Sequence, residues 1–176
     1  MIIGMDPGMS GAIAILSDDG DLLTVTDMPV FAVVKRVGGK DRTKNHINVH
    51  DLGNILRPYA EHGATVAIEQ VGPMPRDGAM QAFQFGFGAG ALHGACGALG
   101  FGIVTVTPQR WKKHFGLTSD KGGSRQLATR RFPAHADLFK RVKDDGRAEA
   151  VLVALYHHET RHAPNLAFTP SRKARA

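Results

Sequence analysis

Short apolar runs separated by turn residues fill the first part of the chain. Residues 1–5 and 12–16 each have strand length and carry β-branched side chains, and Asp6-Pro7-Gly8-Met9-Ser10-Gly11 between them supplies turn chemistry. Asp18-Asp19-Gly20-Asp21 reads as a hairpin turn into a third run, residues 22–28, so three strands follow one another as an antiparallel meander. Residues 31–48 are polar, with Gly38-Gly39 and Lys40-Asp41-Arg42, and are expected to form a long mobile surface connection. Val49, Leu52, Ile55, Leu56 and Tyr59 recur at helical spacing, which predicts a helix over 49–60. A short buried strand follows at 64–68. The Gly- and Ala-rich stretch 78–99 predicts a helix lying close on the sheet, with His93 and Cys96 in or near the core. Residues 102–106 predict another strand. Thr107-Pro108 has the residues of a helix start, opening a helix through Phe115 in which Trp111 is expected to be a core anchor. After a loop at 116–124, residues 125–132 resume a basic helix. Residues 150–156 predict an apolar helix too short to span a membrane.

Two acids stand out against this pattern. Asp6 falls where the first strand ends, and Glu69 directly follows the strand at 64–68. A carboxylate there is expensive unless it is hydrogen-bonded, paired or bound to a cation. For Asp6 alone, an Asx-turn capping the glycine-rich bend is an equal account. Two such acids on neighbouring strands would instead converge at one edge of the sheet and repel. A third site of this kind opens the last helix. Asp145 and Glu149 are four residues apart and share one helical face. Helix capping accounts for Asp144 or Asp145, but not for Glu149 facing a core. Of the two aspartates, Asp145 is favoured by its spacing to Glu149.

Charge sharpens the picture. The chain has a formal net charge of +6, but residues 107–131 alone carry net +6 and the tail from Arg161 carries +4, leaving the remainder at −4. A basic band beside an acidic body suggests a polyanionic partner, nucleic acid above all. With one cysteine, Cys96, neither a disulfide framework nor a thiolate zinc cluster fits, which suits a reducing cytoplasm. No apolar run is long enough for a membrane span, and Met1 leads straight into a strand, so no signal peptide is expected. Carboxylates from separate elements, without Cys or His clusters, suit hard cations such as Mg²⁺ or Mn²⁺. Two such ions roughly 4 Å apart activate water and stabilise the leaving oxygen of a phosphodiester.

Gly4-Met5-Asp6-Pro7-Gly8, Ile68-Glu69-Gln70 and Asp145-Gly146-Arg147-Ala148-Glu149-Ala150 together resemble the three acidic motifs of RuvC-type Holliday junction resolvases. The resemblance spans residues 1–157, and its Asp-Gly-Arg-Ala-Glu form is similar to compact bacteriophage variants. It implies an α/β RNase H-like fold, with a mixed five-stranded sheet (three antiparallel strands, then parallel ones) flanked by helices. It implies a nuclease domain over 1–159, followed by a basic, flexible tail over 160–176. It further implies a homodimer in a bacterial or phage-host cytoplasm, two Mg²⁺ or Mn²⁺ ions per site, and paired symmetric nicks in a four-way junction. Asp6, Glu69, Asp145 and Glu149 take the catalytic and metal-binding roles, and Lys112 and Lys121 match basic positions near the scissile phosphate. Arg110, Lys113 and Arg125 join them as expected DNA contacts, with Met74 and Arg76 beyond the second motif.

This chain departs from the pattern at two places. Glu149 stands where many relatives carry Asp, and Val71-Gly72-Pro73-Met74 stands where they often place an aromatic wedge. Broader cleavage of forks or flaps and junction binding without cleavage are the alternatives within this reading. Two unrelated readings fare worse. His158-Glu159-Thr160-Arg161-His162 matches the H-E-x-x-H zinc-protease signature, but no His, Asp, Glu or Cys follows it to serve as third ligand. An actin-like phosphotransferase would need a second lobe for which 176 residues leave no room.

Overall fold

The structure, a computed structural model, describes residues 1–70, 72, 78–118 and 122–161. A five-stranded sheet runs in the order β3-β2-β1-β6-β7. β1 (Ile2–Met5), β2 (Ala12–Leu16) and β3 (Leu22–Asp27) form the expected antiparallel meander. β6 (Thr65–Glu69) lies parallel to β1, and β7 (Gly102–Val106) parallel to β6. Between β3 and β6 the chain forms a separate hairpin, β4 (Val30–Val37) and β5 (Lys40–Ile47), and then α1 (Val49–Ala60). The remaining helices are α2 (Ala79–Ala98), α3 (Pro108–His114), α4 (Gly123–Arg131) and α5 (Asp145–Thr160), with two 3-10 segments at Pro133–Phe139 and Val142–Asp144. This is the RNase H-like architecture.

Strand periodicity divides the core into two layers. Successive side chains leave a strand on opposite faces. Ile3, Met5, Ile13, Ile15, Val66 and Ile68 therefore pack against α1 and α2, through Leu52, Leu56, Leu92 and Cys96. Ile2, Ala12, Ala14, Leu16 and Ala67 meet α5 on the other face. Three of the second set are alanines and Gly4 lies among them, which lets α5 approach the sheet at close range. A Cβ on Gly4 would run into the Ala150 carbonyl and stand 2.6 Å from the Ala154 Cβ. α5 is apolar on nearly all sides, from Ala148 to Leu155, because the sheet covers one flank and α4 with the 3-10 segment the other. Among the described residues no helix is long and apolar enough to cross a membrane.

Two elements differ from the sequence expectation. The expected connection over 31–48 is an eight-residue-per-strand hairpin in register from Val30↔Ile47 to Val37↔Lys40. Its tip, Gly38-Gly39, has φ of +60° and +78°, the two-residue turn that matches the twist of paired strands. The last helix begins at Asp145, where the shared face of Asp145 and Glu149 placed its start. The basic helix α4 starts at Gly123, inside the expected loop.

Candidate active site

The same alternation that builds the core aims the acids. Asp6 continues the Ile2–Gly4 set and Glu69 the Thr65–Ala67 set, so both point to the α5 side at the ends of two adjacent parallel strands. α5 delivers Glu149 to that same place, and α3 delivers Lys112. Lys112 Nζ lies 3.2 Å from Glu149 Oε1 and 5.0 Å from the centre of the Trp111 ring.

Electrostatics records the convergence. Burial pushes the Asp6 carboxyl up to about 6, and facing Glu149 adds to this, while the Gly8 N–H and Lys112 hold it down. Burial likewise pushes Glu69 up to about 7; the Trp111 hydrogen bond and Lys112 oppose the rise, and Glu149 and Asp6 reinforce it. Asp6 Oδ1 accepts the Gly8 N–H at 3.1 Å, so the Asx-turn and the cluster coexist on one carboxylate. Glu69 Oε1 accepts the indole N–H of fully buried Trp111 at 2.8 Å. Trp111 is thus the expected core anchor and also the support of an acid, a role with no signature in the sequence.

The two aspartates before Glu149 have separate fates. Asp144 is buried and accepts from the Arg141 backbone N–H at 2.8 Å and from its guanidinium at 2.8 Å, and these contacts hold its carboxyl below the usual range. Asp145 is half-exposed and bonds Arg125 Nε at 2.6 Å. It sits one helical turn before Glu149, at the rim of the cluster. Arg147, between them, clamps Asp27 at the end of β3 with bonds of 2.5 and 2.7 Å and so ties the start of α5 to the sheet.

Among the expected DNA contacts, Arg110 and Lys113 are exposed on α3. Lys112 and Lys113 line a shallow groove with Gln109, Leu117 and Thr118. Lys121, Met74, Arg76 and the chain beyond Arg161 lie outside the described residues, as does His162. The protease-like motif is dispersed. Glu159 is taken by His114 and Arg131, and His158 reaches the Asp18 carbonyl at 2.9 Å.

An all-oxygen donor set of mutually repelling carboxylates has the chemistry of a hard-cation site. As they stand, the acids are engaged by Gly8, Trp111, Lys112 and Arg125, and among the described residues no three His, Cys, Asp or Glu side chains are arranged to hold a metal ion.

The fold, with acids at the ends of two adjacent parallel strands facing a third on a helix, is that of RNase H-like proteins. Two structures of Thermus thermophilus RuvC share it. The one in complex with a Holliday junction substrate matches with a TM-score of 0.51 at 15% identity, over 91% of this chain and 93% of that one. The other matches with a TM-score of 0.50 at 14% identity, over 91% and 94%. By sequence, 102 residues are 31% identical to the chloroplastic Holliday junction resolvase MOC1 of Chlamydomonas reinhardtii. That stretch is 57% of this chain and 11% of the longer protein. No model of a known protein family matches the chain.

Proposed function

We propose that this chain is a RuvC-type, metal-dependent endonuclease that cuts branched DNA, resolving four-way junctions by paired nicks. The observation that carries the reading is the meeting of Asp6, Glu69 and Glu149, from β1, β6 and α5, around Lys112. Similarity to a junction resolvase and the RuvC fold point the same way.

Asp6, Glu69 and Glu149, with Asp145 at the start of the same helix, would hold Mg²⁺ or Mn²⁺. When bound, such ions activate water and neutralise charge on the phosphodiester. The chain's own groups do the rest. Lys112, freed from Glu149, places its charge beside the phosphate undergoing attack, and the resemblance to resolvases proposes the same role for Lys121. Trp111 fixes one Glu69 oxygen so that the carboxylate does not swing. Exposed Arg110 and Lys113 hold the backbone either side. Arg125 trades the Asp145 carboxylate for a DNA phosphate. Met80, Phe83 and Phe87 lie exposed along one side of α2, with the two Phe rings 6.4 Å apart. This apolar stripe supports a homodimer, which paired nicking requires.

Labelled four-way junction, Y-fork and linear duplex, incubated with the protein and Mg²⁺, test the substrate class. Symmetric nicks near the junction branch point are expected. Equal cutting of the fork would widen the activity to debranching, and tight binding without cutting would leave a junction-binding protein.

A further inference from the structure

The β4–β5 hairpin has no part in the site above, yet its two faces are chemically unlike. Register places Phe31 opposite His46, Val33 opposite Lys44, position 35 opposite Arg42, and position 37 opposite Lys40. Directly opposed residues share a face and successive ones alternate. Lys40, Arg42 and Lys44 are all basic and fall on one face, to which no acid of the two strands belongs. The hairpin's one acid, Asp41, falls on the other face, opposite Arg36. The basic face also carries an aromatic pair at its base. Phe31 stacks on His46 with centroids 5.7 Å apart and planes at 25°, and Phe31 is 47% exposed.

The orientation of the ribbon follows from its second face. Ile47 is buried against Gly88 of α2, and Asn45 borders a groove of about 550 Å³ with Pro7, Gly8, Met9 and Phe85. At its base that face meets α2 and the turn that directly follows Asp6, whereas toward the tip Arg36, Asp41, Lys40 and Arg42 are exposed on both faces. Ile47 belongs to the core layer beneath α1 and α2, whereas Trp111 of α3 belongs to the layer beneath α5. The ribbon and the basic helix α3 therefore flank the acidic cluster from opposite faces of the sheet.

We infer that the β4–β5 ribbon is a second DNA contact, which grips a double-helical arm of the substrate through Lys40, Arg42 and Lys44. A two-stranded antiparallel ribbon fits the roughly 12 Å width of the DNA major groove. A row of cations without acids neutralises phosphates along such an arm. The inference rests on the proposed nuclease reading for its substrate, but binding tests it apart from cutting.

Fluorescent four-way junction and linear duplex are titrated with protein in divalent-free buffer over a range of salt. Replacing Lys40→Gln, Arg42→Gln and Lys44→Gln together is expected to reduce the log–log salt slope by about 2 to 3 and to weaken binding at least ~10-fold at moderate salt. The charge-preserving pair Lys40→Arg and Lys44→Arg is expected to keep the wild-type slope, as is Arg36→Gln on the opposite face, where Asp41 stands across from it. An unchanged slope in the triple variant overturns the inference, as does an equal per-charge effect from Arg36→Gln. A wild-type protein that binds through the ribbon but does not cut overturns only the nuclease reading; one that binds no DNA overturns both.

Discussion

The indole N–H of Trp111 donates to Glu69 Oε1 at 2.8 Å, so a core anchor of α3 fixes an acid at the end of β6. Trp111 is fully buried, and Glu69 is the only one of the four candidate acids classed with the buried core. The bond therefore supplies in the interior what water would supply outside.

Trp111→Phe keeps an aromatic ring in the core and removes the donor. Leaving a buried acceptor unpaired costs about 1–3 kcal/mol. Because this bond holds the Glu69 carboxyl down, its loss moves the acidic limb of the activity profile to higher pH. Thermal melts and a pH–rate profile, side by side, check both. A loss of stability with an unmoved profile would mean that the indole serves packing alone.

Metal-free stability should fall as pH rises. Asp6 stands at about 6 against an ordinary 3.8, and Glu69 at about 7 against 4.5. The folded chain thus binds these protons more tightly than the unfolded one. The stability they give is full below the unfolded values and is lost as pH climbs through about 4 to 7. His157, held below its ordinary value by burial, works in the opposite sense near pH 6. Glu69→Gln isolates the acid's share, since His157 is common to both proteins. The variant is expected to lose less Tm than wild type between pH 5 and pH 8. Added Mg²⁺ or Mn²⁺ should raise the wild-type Tm at pH 8 more than at pH 5, because protons compete for the carboxylates. Identical pH responses of the two proteins would contradict this.

Close packing of α5 on the turn that follows Asp6 makes Gly146 intolerant. A Cβ there would strike the Ser10 carbonyl and stand 2.8 Å from Gly11 Cα and 3.0 Å from Asp6 Oδ2. Gly146→Ala is expected to destabilise by about 1–3 kcal/mol and to displace Asp6. Gly97→Ala on α2, where the added methyl meets open space, should be neutral or stabilising by up to about 1 kcal/mol. Chemical denaturation of both variants provides the comparison.

The site's frame was legible because strand ends and helix spacing are local patterns. Asp6 and Glu69 followed apolar runs, and Glu149 lay one turn beyond Asp145, so their convergence needed only β1 and β6 to be neighbours. The hairpin was missed for a different reason. Its strands are exposed on both faces and show little apolar alternation, although Gly38-Gly39 at its centre was a usable turn signal. The partners of the acids were hidden for a third reason. Trp111 lies 42 residues from Glu69, and Arg125 lies 20 residues from Asp145, and neither contact leaves a periodic trace. Spacing to Glu149 favours Asp145 over Asp144, but it gives no sign of the partner that engages Asp144. Arg141, three residues before Asp144, claims that carboxylate and leaves Asp145 at the rim.

Nicking of a labelled four-way junction by wild type and by Asp6→Asn, in the same Mg²⁺ buffer and with binding measured in parallel, tests the central claim most directly. Asparagine keeps the shape and an oxygen for the Gly8 N–H but removes the charge. Paired nicks at the branch point in wild type, abolished in the variant while junction binding persists, are the predicted result. Equal cutting by the two proteins would contradict the assignment of the acidic cluster as the catalytic centre.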